Sequence, residues 1–195
     1  MRKIIWIAVS VAIIIAVGLA SPLFYTTSVD ESLPGRLGTI QDGLTMEKFM
    51  NMEDVKRQQI VEKMPFDLRD MIMQEAATMQ TRASDDMANS DITILHTGTF
   101  EGLLGHDATG IAKIIEVSDS TYLRFESFDV TNGPDLRVYL TNNGDIKSGH
   151  HLAKLKGSMG NQNYLLDGTD WRDYDTVVIY CQPFGVHFGQ ATLSL

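Results

Sequence analysis

One cysteine, Cys181, stands among the 195 residues of this chain. No disulfide can therefore close within the chain, and the fold must rest on a packed core. Basic residues are scarce as well: 16 Lys and Arg face 25 Asp and Glu, a formal charge of −9 at pH 7. Binding to phosphate backbones needs a basic surface, so nucleic acid is not an expected partner. Several catalytic signatures are missing. There is no C-x-x-C-H for covalent haem and no H-E-x-x-H for zinc. Gly157-Ser-Met-Gly160 is followed by no G-K-[ST], so it reads as a turn and not as a phosphate cradle. No serine triad or paired-carboxylate site stands out. The expectation is not a stand-alone enzyme.

One long apolar run occurs, at residues 4–20, interrupted mildly by Ser10 and Gly18. Arg2 and Lys3 precede it, and the first charge after it is Asp30. The positive-inside bias puts the N-terminus in the cytoplasm and the remainder outside. Two fates stay open. Gly18-Leu19-Ala20 before Ser21 suits a signal peptidase, which would make the chain secreted. With Leu23, Phe24 and Tyr25 the run approaches the ~20 residues of a membrane span. Residues 1–25 are therefore a signal anchor or a signal peptide, with the anchor preferred. The expected location is the cell membrane, single-pass, with the C-terminal domain outside the cytoplasm. No cysteine follows the run, which excludes a bacterial-type lipid anchor. An unpaired thiol outside the cytoplasm is either sealed in a core, bonded to another molecule or used for chemistry.

Residues 26–43, rich in Thr, Ser, Gly and Pro, read as a linker. Residues 44–88 read as helical. Asn51-Met-Glu-Asp54 offers an N-cap, and Pro65 should end that helix near Lys63. A second helix should run from residue 65 or 66 to about 82, with Leu68, Met71, Ile72, Ala76 and Met79 on one face. A short turn at 45–50 would precede both. This segment holds eight of the ten methionines. Thioethers can bind Cu(I), but Met50/Met52 and Met71/Met73 are two apart and do not share a helix face. Packing is the preferred role.

From Asp91 the texture changes to short β-branched and aromatic runs. Strands are expected at 92–100, 110–117, 121–128, 136–141, 151–155, 163–166, 176–181 and 186–195. The fold class is mainly β, with an antiparallel β-sandwich or barrel-like domain over 91–195. An N-terminal transmembrane or signal helix and a short helical segment would precede it.

Several ordered blocks in this region resemble the DM-thirteen domain family. They begin with Gly98-Thr-Phe100, His106-Asp-Ala-Thr-Gly110 and Leu123-x-Phe125-x-x-Phe128. Gly133-Pro-Asp-Leu136-x-Val138-Tyr-Leu140, Leu155-Lys-Gly157 and Gly160-Asn-Gln162-x-Tyr164 follow. The last runs from Tyr174 through Cys181-x-Pro-Phe184 to Phe188, Ala191 and Leu193. The resemblance covers about residues 92–195. It implies an extracytoplasmic sandwich with a role in electron transfer or redox chemistry through a cysteine, here Cys181. Cytochrome-like DOMON domains often accompany the family, and this chain has none.

Read from its own strand, Cys181 shares a face with Val177 and Ile179, which points inward and towards inertness. A redox thiol needs a positive or imidazole neighbour, and His187 is the nearest in sequence. Cofactor contacts would then come from Cys181, His187 and His106. No metal is assigned. Were copper bound, His₂Cys geometry would draw on Cys181, His187 and His96 or His106, with His150 and His151 as further sources. The axial methionine of such sites does not follow His187. Non-covalent haem and copper both stay open as cofactors, as does a protein redox partner. The other reading is a non-catalytic binding domain in which Cys181 is structural.

Overall fold

The computed structural model describes residues 32–87 and 91–195. The anchor or signal segment and the first residues of the expected linker lie outside the described residues. Among the described residues, no helix is long and apolar enough to cross a membrane.

Among the described residues, four helices come first. α1 spans Leu33–Ile40, where a linker was expected. The Pro and Gly that suggested a linker instead serve a helix start. Ser32 Oγ accepts from the Gly35 N–H at 3.4 Å, and Pro34 sits in the first turn, where its missing N–H costs nothing. α2, Met46–Met50, is capped by Thr45, whose hydroxyl accepts from Lys48 N at 3.2 Å. Asn51 closes this helix and does not cap the next. α3, Asp54–Glu62, has Glu53 at its N-cap position and ends at Lys63 before Pro65, as expected. α4, Phe66–Thr78, stops earlier than the apolar spacing predicts. The next residues are taken by a strand, β1 (Arg82–Ser84), which pairs with a distant edge.

The remaining strands are β2 (Ile92–Thr99), β3 (Glu101–Gly102), β4 (Ala108–Val117), β5 (Ser120–Val130) and β6 (Leu136–Thr141). They continue with β7 (His150–Lys154), β8 (Met159–Leu165), β9 (Thr176–Cys181) and β10 (Val186–Thr192). A 3₁₀ turn, Trp171–Asp173, precedes β9. The strands form two five-stranded sheets, ordered β1-β8-β5-β4-β2 and β3-β10-β9-β6-β7. All pairs are antiparallel except β1 with β8. The sheets do not close into a barrel, so the sandwich is the correct alternative. The β1–β8 approach needs Gly160: its φ is +100°, and a Cβ there would strike the carbonyl of Ala83.

One core lies between the sheets. Ile114, Leu123, Phe125, Phe128, Val138, Val177, Ile179, Cys181 and Phe188 all belong to it. Each large apolar side chain there contributes about 1.5–3 kcal/mol by leaving water. A second, smaller core holds Leu37, Phe49, Ile60, Val61, Met64, Leu68 and Ile72 from the helices. Met46, Met52 and Met71 pack against this core and Met73 against the first, in line with the packing role.

Candidate functional site

Cys181 ends β9, with Leu136 of β6 on one side and Val186 of β10 on the other. Directly opposed residues in an antiparallel pair project to the same face. Leu136, Val186 and Cys181 therefore all turn inward, and the sulfur is 0% exposed. Burial pushes the thiol up to about 12, and the Asp135 carboxylate adds to the rise. The backbone N–H groups of Phe184 and Asp135 and the Arg57 charge pull the other way. At neutral pH the group is a protonated thiol, which is neither a nucleophile nor a metal ligand.

The turn after Cys181 is the lid over it. Gly185 N donates to Cys181 O at 2.9 Å, and Gln182 N donates to Asp135 O at 3.0 Å. Gly185 takes a φ of +68°, which lets β10 turn back beside β9. Phe184, at the tip, is partly buried and touches both cores. Its ring stacks on Phe49 of α2, with centroids 6.1 Å apart.

Beside the turn lies an ionic network. Arg57 of α3, 1% exposed, pairs with the buried carboxylate of Asp135, with Asp54 at 2.7 Å and with the Met50 carbonyl at 3.0 Å. Arg137 donates to both oxygens of Asp54, at 2.6 and 2.7 Å, and to Asp135 at 2.8 Å. The hydrogen bond from Arg137 holds the Asp54 carboxyl below its ordinary value, and the two carboxylates raise Arg137. Two cations and two anions thus join the helices to the sheet beside Cys181. None of these residues was expected at a site; Asp54 entered only as part of a helix start. Asp135 entered only within a block of the family resemblance, and the 78-residue separation of Arg57 from Asp135 left no local signal.

The five histidines are dispersed, and each lies against an aromatic ring. His187 opposes Tyr180, one step out of phase with Cys181, so it projects from the outer face of the sheet. There it packs edge-on to Tyr180 at 5.2 Å, and Nε2 is 3.1 Å from the Gly144 carbonyl. His106 stacks flat on Phe188, with centroids 3.7 Å apart and planes 7° apart. Burial keeps its pKa below the ordinary value. His96 meets Trp171 edge-on, towards the opposite end of the sandwich. His150 neighbours Tyr174, and His151 neighbours Tyr139. The copper set Cys181, His187 and His96 or His106 is therefore not brought together. A sheet lies between the thiol and His187, and the sulfur has no open face for copper or haem. No group of three potential ligands among His, Cys, Asp and Glu occurs among the described residues.

A groove of about 450 Å³ runs outside the lid, lined by Phe66, Arg69, Met73, Leu104, His106 and Phe184 among others. There α4, the β3–β4 loop and the Cys181 turn meet.

Fold and site together define an antiparallel β-sandwich with one sealed thiol at the end of a core strand, capped by a turn and a helical flank. The family model described as electron transfer DM13 matches residues 99–193, which include nearly all of the sandwich. No curated protein and no solved structure matches the chain.

Proposed function

We propose that the chain is a membrane-tethered, extracytoplasmic electron-transfer module with Cys181 as its redox centre. The electron-transfer description of its domain family supports the redox role. The observation that carries the assignment to Cys181 is its setting: the chain's single thiol is buried next to a turn whose Phe184 packs against both cores. A protonated thiol does not exchange, so the turn from Gln182 to Gly185 must lift before Cys181 ionises. The exposed thiolate would then attack a disulfide of a partner protein. A new S–S bond forms to Cys181, and the partner's second sulfur leaves as a thiolate. This chain has no other cysteine, so net transfer needs a dithiol donor protein: one of its thiolates attacks the Cys181 sulfur and releases the partner as a dithiol, and its second thiolate then closes the donor's own disulfide and frees Cys181.

The complete burial of the sulfur favours a second reading, a non-catalytic interaction domain with a structural cysteine. Incubation of the full chain with a disulfide reagent, native and unfolded, separates the two. Redox use predicts a slow mixed disulfide in the native protein, absent in Cys181→Ser. Reaction confined to unfolded molecules contradicts it.

A further inference from the structure

Two large apolar side chains stand far out of the fold beside the groove: Phe66, 80% exposed, and Leu104, 75% exposed. Leu104 is the more unusual. His106 N donates to Leu103 O at 3.0 Å, which closes a turn with Leu104 and Gly105 at its centre. Both central residues have positive φ, +53° and +85°. Asn, Asp or Gly suit such positions, whereas leucine is strained there. The chain thus holds a bulky apolar residue in a costly conformation and leaves it in water.

Resting on the tethered reading above, we infer that the rim formed by Phe66 and Leu104 sits in the interface of a neutral bilayer. The Cys181 end of the sandwich then faces the membrane. The course of the chain carries this choice of occupant. Tyr25 ends the apolar stretch, and Ser32 opens the described structure seven residues later. Seven extended residues reach at most about 25 Å. Ser32 caps α1, and Arg36 of α1 pairs with Asp67 at 2.7 Å, next to Phe66. A tether therefore delivers the α1–α4 side to the bilayer first. Arg69 lies over the Phe66 ring at 5.0 Å, an aromatic–arginine pair suited to an interface, where the ring enters and the guanidinium stays at headgroup level. Asp70 lines the groove, and the chain is acidic overall, so anionic lipid is disfavoured.

The test uses the full chain reconstituted in phosphatidylcholine vesicles whose acyl chains are brominated near the headgroup. Trp6→Phe removes the tryptophan of the apolar run, and the emission of that variant, which comes from the core residue Trp171 alone, is subtracted from every reporter. Leu104→Trp and Phe66→Trp each place a reporter on the rim. Ile92→Trp places one across from Val117, at the far end of β4. The inference predicts that both rim reporters lose most of their emission and that the Ile92 reporter keeps it. A chain that floats with the vesicles while its rim reporters stay bright overturns the inference and leaves the tether intact. Equal quenching at Ile92 overturns it as well, because no face would then be preferred. Cross-linking of rim to rim between two copies assigns the patch to a second copy and also overturns it. A chain that fails to float removes the tethered reading and the inference with it.

Discussion

The sandwich and the helical flank are held together by different physics. Between the sheets, apolar side chains from eight of the strands interdigitate, and little polar surface is buried. The flank has a core of its own, but its bond to the sandwich runs through Phe184, Met73, the Asn132 side chain, which donates to the Ala76 and Met79 carbonyls, and the Arg57–Asp135–Arg137–Asp54 network. Apolar packing tolerates small shifts, whereas a buried ion pair is worth little unless complete and costs much when broken. The comparison teaches that docking of the flank rests on polar pairs that hold only while the set is complete. The thiol sits where the two regimes meet.

The largest expected effect lies in the sandwich. Phe125→Ala should cost about 3–5 kcal/mol, read by denaturant unfolding, because Phe125 is 0% exposed and packs against Phe100, Phe128 and Tyr164. Arg57→Ala should cost about 3 kcal/mol, since it leaves Asp135 short of a partner in a buried place. Its signature differs: hydrogen exchange should accelerate across α2 to α4 while β4, β5 and β9 keep their protection. Uniform acceleration would break the distinction between the two regions. Gly160→Ala should cost about 1–3 kcal/mol and release β1, because the residue has positive φ and faces the Ala83 carbonyl. Loss of protection confined to Arg82–Ser84 and β8 would confirm it.

The smallest effect concerns acid. Asp54 has its pKa lowered in the folded state, so its stabilising contribution is present at neutral pH and is lost as pH falls below the ordinary carboxylate value of about 4. Asp54 is half exposed, so solvent screening keeps this below about 1 kcal/mol. Asp54→Asn should flatten the acid limb of the flank's stability, measured by helix exchange rates between pH 5 and 3.

Legibility from sequence followed the same division. β6 and β9 end where the turn residues placed them, because each strand is bracketed by Gly, Pro, Asn or Asp. The inward face of Cys181 followed from alternation alone. His187 was misplaced because spacing was counted through a tight turn. The four residues between Cys181 and Val186 reset the register, so a separation of six puts the imidazole on the other face. β1 was hidden because its pairing depends on a partner 77 residues away, and a three-residue strand carries no period. α1 was hidden because Pro and Gly mark helix starts as readily as linkers. The ionic network was not legible at all, since charge in a sequence reads as solvated surface until a fold buries it.

The central claim is that Cys181 is sealed by a turn whose outer support is the helical flank. The rate at which its thiol reacts with a disulfide reagent, in the native protein and in Arg57→Ala, tests this most directly. The account predicts slow native labelling and an acceleration of about 10²-fold in the variant, the equivalent of about 3 kcal/mol of lost docking. Labelling of the native protein at the rate of a free thiol, or a rate unchanged by Arg57→Ala, would contradict it.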